Sequence, residues 1–276
     1  NLQPKQEVIV NMLVNNTTKY NLSRLWRTKV LGIAMLGGIA ISMNTATPTA
    51  EQILKQAEQK LSATSVIAEM DITITRPRWT KKMSLKTWAK GTEYAVAYVT
   101  GPDKDKGTVY LKSGNDVYNY LPKIKKTVKL PATLLSQNWM GTDMSTDDLV
   151  KLTQLTQDYS ATVSGSKMVS GRDCYEITLT PKADADVLWG KLVTCIDKKD
   201  YIQLKTVFYD EDLEAVNTMV ASEIKNLGGK MIASKMIMTP AGKAGQSTKV
   251  VYRSMTFNKT IPSAFFTKAN MPNVKP

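Results

Sequence analysis

The sequence predicts a mainly β protein organised as a curved or barrel-like antiparallel sheet. Three observations carry that prediction. Eight or more short segments between Ile67 and Phe257 alternate apolar and polar residues with a period of two. Glycine-containing turns such as Gly101-Pro102-Asp103, Ser113-Gly114-Asn115 and Gly228-Gly229 separate several of them. The helical spacing that would mark parallel βαβ units is missing between the strands.

Taken in order, residues 1–11 show no pattern, and Met12 is a candidate start. Arg24, Arg27 and Lys29 precede an apolar run, Val30 to Ile41, and small or polar residues follow from Ser42 to Ala50. These are the parts of a secretory signal peptide. Ala46 and Ala50 are candidate cleavage points, and an uncleaved anchor is the alternative. The run is short for a membrane span, and no cysteine follows it to accept a lipid. The expected organisation is an N-terminal extension and signal peptide over 1–50 and one domain over 51–276, exported and soluble.

Glu51 to Thr64 places Ile53, Leu54, Ala57 and Leu61 on one helical face. Period-two segments follow at 67–74, 83–86, 94–99, 107–112 and 116–121, with Thr127 to Leu130 resuming after Pro122 and a basic patch, Lys123 to Lys126. An apolar loop runs from Pro131 to Met140 and ends in Gly141-Thr142-Asp143. Ser145-Thr146-Asp147-Asp148 reads as a capped helix start, predicting a helix over 146–155. Strands resume at 159–163, 173–180, 191–197, 201–209, 230–238 and 247–257. In the two segments joined by Pro181 to Gly190, an antiparallel register that opposes Cys174 and Cys195 brings their Cα atoms to about 4.5 Å. Export then predicts a Cys174–Cys195 disulfide; two free, buried thiols are the other reading.

Composition narrows the chemistry. There are 37 Lys and Arg against 24 Asp and Glu, and no histidine. Residues 51–276 keep 32 cations and 23 acids, a net +9, which could suit nucleic acid, an anionic membrane surface or an acidic partner. The lysines are scattered through alternating strands with no basic block, so a nucleic-acid partner is not expected. Without histidine, Ser-His-Asp and Cys-His catalysis and the commonest zinc ligand are excluded. Asp147-Asp148 beside Asp143 is explained by capping. Asp210-Glu211-Asp212 reads as a polar hairpin tip, with oxygen ligation of calcium as a weaker reading. No enzyme, cofactor or metal site is expected. Fourteen methionines are mostly core filler, although methionine also suits apolar surfaces that accept varied partners.

Large apolar residues concentrate on the early strands and the loop after Leu130. A curved sheet with a partly filled inner face would need helices as a lid, with 51–64 and 146–155 as candidates. The expected cavity or rim residues are Leu85, Trp88, Tyr94, Tyr98, Tyr110, Tyr118, Tyr120, Leu134, Leu135, Trp139 and Met140.

The stretch NDVYNYLPKIKKTVKLP…NWMGTDMSTDDLVK, over 115–152, resembles the signature of the outer-membrane lipoprotein-sorting (LolA/LolB-like) family. Trp88 to Gly91, Lys106 to Leu111, Gly171 to Tyr175, Lys191 to Val193 leading to Ile196-Asp197, and Ile261-Pro262 to Phe266-Thr267 are similar to its other segments, in order. The resemblance covers roughly 60–270. It implies an incomplete, strongly curved antiparallel β-barrel closed by a few α-helices. It also implies a periplasmic, monomeric carrier of lipid or acylated lipoprotein with transient membrane contact, and an inner-membrane transporter as a further partner. The alternative is a regulatory or accessory protein of an export or stress-sensing system on the same fold. Met144 stands where the family commonly has an aromatic residue, and 219–238 is unusually rich in methionine.

Overall fold

The computed structural model describes residues 47–134, 137–145, 155–185 and 187–276. The expected signal segment, Leu135 and nearly all of the expected 146–155 helix lie outside these residues.

Alternation dominates the chain, and so do strands. They are β1 (Ser65–Arg76), β2 (Trp79–Lys90), β3 (Tyr94–Gly101), β4 (Val109–Ser113), β5 (Asp116–Leu121), β6 (Lys126–Leu130), β7 (Tyr159–Val169), β8 (Arg172–Pro181), β9 (Lys191–Asp197), β10 (Gln203–Tyr209), β11 (Ala215–Leu227), β12 (Lys230–Pro240) and β13 (Ser247–Phe257). They form one 13-stranded sheet in the order β6-β5-β4-β3-β2-β1-β13-β12-β11-β10-β9-β8-β7. Every neighbour pairing is antiparallel. The sheet does not close, because β6 and β7 stand at its two edges. It curls enough for Ile72 and Met83 from one half and Ile177 and Leu192 from the other to share a buried cluster.

The helix expected at 51–64 is α1 (Ala50–Leu61). Thr49 caps it, accepting from the Gln52 amide at 3.2 Å, while the Gln52 side chain accepts from the Thr49 amide at 2.9 Å. Ile53 and Leu54 are fully buried on the inner face of the sheet, Ala57 packs beside them, and Leu61 at the last turn is exposed. The one-turn helix α2 (Leu155–Asp158) is tied to α1 through Glu58. Its carboxylate accepts from the Thr156 amide at 2.9 Å and from the Thr156 hydroxyl at 2.6 Å.

One join in the sheet is weaker than the rest. β12 and β13 are both eleven residues long, yet they pair only over Lys235–Met238 against Val251–Thr248. This shortest ladder divides the sheet into seven-strand and six-strand parts. Beyond it the β11–β12 hairpin tip returns to β13. Gly228, at φ +61°, lies so close that an added Cβ would sit 2.5 Å from the Met255 carbonyl oxygen, so the contact requires glycine.

Three expectations are corrected. β11 was not anticipated: its sequence, AVNTMVASEIKNL, interrupts alternation with alanines and a glutamate. β2 runs well beyond the 83–86 expected. The cysteines are free, buried thiols. The observed register opposes Cys174 to Asp197 and Cys195 to Glu176, two residues from the register a bridge required, and the Cys174 thiol donates to the Lys167 carbonyl at 2.9 Å. Burial, reinforced by the neighbouring Cys195 thiol, pushes Cys174 up to about 12. Alkylation without reductant should therefore label both cysteines in the unfolded protein and neither in the native one. An unfolded chain that takes no label would contradict free thiols.

Candidate functional site

The inner face is built by alternation. Ladder pairing lines up Ile74, Thr248, Met238, Met219, Thr206, Thr194 and Ile177 across the sheet, and all of them are buried. The next row contains Met83, Ile72, Val250 and Met236. The row beyond it contains Val99, Leu85, Met70 and Tyr252. Met236, Met70 and Tyr252 are only half-buried, although they pack on the same core. Burial among these side chains pushes the Tyr252 hydroxyl above its ordinary value. The inner face is thus sealed along one row and less fully covered along the next two.

Its cover consists of α1 and the loop over 137–145. Trp139 is buried and meets Tyr110 edge-on, with ring centroids 5.5 Å apart. Met144 is buried in the same cluster, and Met140 packs half-buried against it. An isolated bridge joins Asn138 to Ser145, and the Thr142 hydroxyl donates to the Trp139 carbonyl at 2.7 Å. Burial pushes the Tyr110 hydroxyl up; a hydrogen bond with Asn119 opposes that shift and Asp105 adds to it.

Asp143 fastens this loop to the sheet. Arg76 on β1 grips its carboxylate with both guanidinium nitrogens, at 3.1 and 3.0 Å. The same guanidinium donates to the Gly141 carbonyl at 2.7 Å and the Thr75 carbonyl at 2.8 Å. The Thr248 hydroxyl on β13 donates to Asp143 Oδ2 at 2.7 Å and accepts from the Asp143 amide at 2.9 Å. From β11, across the short ladder, the Asn217 side-chain Nδ2 donates to the Asp143 carbonyl at 3.3 Å. The pair is largely out of solvent, with side chains 12% and 5% exposed, so its charge-assisted bonds act in a low-dielectric setting.

The expected rim residues do not form one cluster. Leu85, Tyr110, Trp139 and Met140 share the inner face. Trp88, Tyr94, Tyr98, Tyr118 and Tyr120 lie on the opposite face, under the C-terminal 3-10 segments Ser263–Phe266 and Lys268–Asn273. There Trp88 packs on Phe265 at 5.3 Å and Tyr94 on Phe266 at 5.9 Å. Strand parity makes this split unavoidable, since Leu85 and Trp88 on one strand point opposite ways. Leu134 is exposed, and Leu135 lies outside the described residues. Met70, Met236, Tyr252 and the residues holding Asp143 were missing from the expected set. The alternation of 70, 72 and 74 was a signal for the first of them.

Two further sequence features resolve. Asp210–Asp212 is a turn, in which Asp210 Oδ1 accepts from the Glu214 amide at 2.9 Å; among the described residues no acidic cluster is placed to hold a metal ion. The separated segments around Arg172 and Asp197 meet in space. Arg172 donates to Asp197 at 3.0 and 2.7 Å and also bonds Asp200. Asp197 is itself almost wholly buried.

A family profile described as "uncharacterized protein" and "-like" matches residues 91–273, two thirds of the chain. The chain belongs to this family, and its fold is LolA-like. A DUF1329 family protein from Desulfovibrio piger is similar in structure at TM-score 0.73 and 20% identity, over 80% of this chain and 97% of that one. A putative outer membrane lipoprotein-sorting protein domain from Vibrio parahaemolyticus gives 0.71 and 20%, over 81% and 98%. A LolA superfamily protein from Nitrosomonas europaea gives 0.68 and 23%, over 81% and 99%. A search of curated proteins gives no match.

Two predictions follow from these contacts. Asp143→Ala and Arg76→Met should each lower unfolding stability by about 3 kcal/mol in urea titrations, because each strands a buried charge or its donors. The double variant should cost well under the sum of the two; strict additivity would show that the pair is not coupled. For Asp197, burial is the largest single influence and raises the carboxyl's pKa, but the Arg172 hydrogen bonds and charge together with backbone hydrogen bonds from Asp200 and Lys199 outweigh it, leaving the group below its ordinary value. Its contribution is present above the usual carboxylate range and is lost as pH falls through the folded value. Thermal melts down that range should fall more steeply for the wild type than for Asp197→Asn, and parallel curves would contradict this assignment.

Proposed function

We propose that the chain is a periplasmic carrier for lipid or lipoprotein acyl chains, holding them against the inner face of its sheet. The observation that carries this reading is the construction of the cover over that face. A polar latch centred on Asp143 pins the loop that carries Trp139, Met140 and Met144, and half-buried Met70, Met236 and Tyr252 flank the sealed core. A structural core needs no such detachable element. A carrier does, since burying acyl chain yields about 0.8 kcal/mol per CH₂ and that affinity has to be surrendered at delivery. Methionines suit this role because their flexible thioethers adapt to differently shaped chains.

Three things support the wider setting. The fold is LolA-like, one structural neighbour is a putative outer membrane lipoprotein-sorting protein domain, and residues 24–50 have the parts of an export signal. Among the described residues no helix is long and apolar enough to cross a membrane.

A fluorescent fatty-acid probe tests the reading. The wild type should bind it saturably. Met70→Asp should weaken binding about tenfold or more by placing a charge on the apolar wall. Asp143→Ala should speed probe release, with folding of both variants checked by circular dichroism. A folded wild type that takes up no probe would overturn the carrier assignment and favour the accessory-protein alternative.

A further inference from the structure

The hairpin of β5 and β6 bears a surface that neither the core nor the latch uses. Leu121, Ile124, Val128 and Leu134 are exposed within fourteen residues, Ile124 by 58%. Leu121, Ile124 and Val128 lie on or beside the turn at Pro122–Ile124, where β5 and β6 pair Leu121 with Lys126 and Asn119 with Val128, while Leu134 follows the far end of β6. Ladder parity therefore puts Leu121, Lys126 and Val128 on one face of the edge, with Ile124 at the turn beside them. The charges are of one sign. From Val117 to Thr142 the chain has four lysines, Lys123, Lys125, Lys126 and Lys129, and no acid. Lys129 pairs with Asp116 at 2.7 Å. Lys123, Lys125 and Lys126 are exposed and make no ion pair among the described residues.

A sheet edge normally protects itself with charge and keeps large apolar groups off its outermost turn. Here the turn offers both together, and the combination selects its partner. Isolated lysines would serve an acidic protein, but exposed aliphatic tips between them serve a surface with anionic headgroups above an apolar layer. We propose that this turn docks the protein on anionic lipid bilayers. Ile124 and Leu121 enter the boundary between headgroups and acyl chains, while Lys123, Lys125 and Lys126 meet the headgroup phosphates. The inference goes beyond the carrier reading and does not need it. Docking would occur with or without cargo.

Co-sedimentation of the full chain with vesicles decides the matter. The wild type should sediment with mixed phosphatidylcholine–phosphatidylglycerol vesicles, much less with phosphatidylcholine alone, and less at high salt. Reversing the three exposed lysines together (Lys123→Glu, Lys125→Glu, Lys126→Glu) should weaken binding at least about a hundredfold, since loss of each positive charge alone costs about fivefold. Ile124→Ser, which leaves the charge unchanged, should weaken it about tenfold. All four positions are exposed, so circular dichroism and fatty-acid probe uptake should be unaltered, which separates failure of docking from failure of the carrier reading. Equal sedimentation of the wild type and the triple variant, or no sedimentation with anionic vesicles, would overturn the proposal. Dependence on the lysines with none on Ile124 would overturn the insertion of Ile124 and Leu121, leaving adsorption by charge alone.

Discussion

Asp143 is the group that fastens the cover of the inner face to the sheet. Its carboxylate accepts from both guanidinium nitrogens of Arg76 and from the Thr248 hydroxyl, and its backbone engages Thr248 and Asn217. Arg76 and Thr248 belong to one side of the shortest ladder in the sheet, and Asn217 to the other. One residue in a loop therefore fastens the cover to the inner face and also bridges the join between the two parts of the sheet. Burying a charge there is costly unless every partner is present. The contacts therefore depend on one another: removing one partner leaves the others' charge or donors unmet.

That constraint gives the apolar layers different roles. The row from Ile74 and Thr248 to Ile177, under α1 and the loop, is sealed and holds the fold together. Met70, Met236 and Tyr252 sit in the adjoining rows with part of their surface still accessible. The opposite face is packed separately, by Phe265, Phe266, Met271 and Val274 on Trp88 and its neighbours. That second layer ties the chain's last residues to the early strands and leaves the inner face independent of them.

Much of this was legible from residue order, because alternation reports directly on strands. The β4–β5 hairpin with Gly114-Asn115 at its tip, the helix at α1 and the antiparallel class all follow from local pattern. The inner site was less legible for two physical reasons. Aromatic content does not say which way a side chain points, so Trp88 and Tyr98 were grouped with Leu85 and Tyr110 although the sheet stands between them. Partners such as Arg76 and Asp143, or Asn217 and Asp143, are 67 and 74 residues apart in sequence and become neighbours only when the sheet curls. The cysteine register failed similarly, since a slip of two residues preserves the pattern of facing and is invisible to alternation. β11 escaped because alanines and a glutamate within it weaken the contrast between faces.

Native mass spectrometry of the protein purified from its own host without detergent addresses the central claim most directly. A carrier whose inner face is closed over by a latched loop should retain lipid or acyl-chain mass through purification and lose it on activation, and Asp143→Ala should retain less. A wild type that flies only at its polypeptide mass, while remaining folded, would contradict the account.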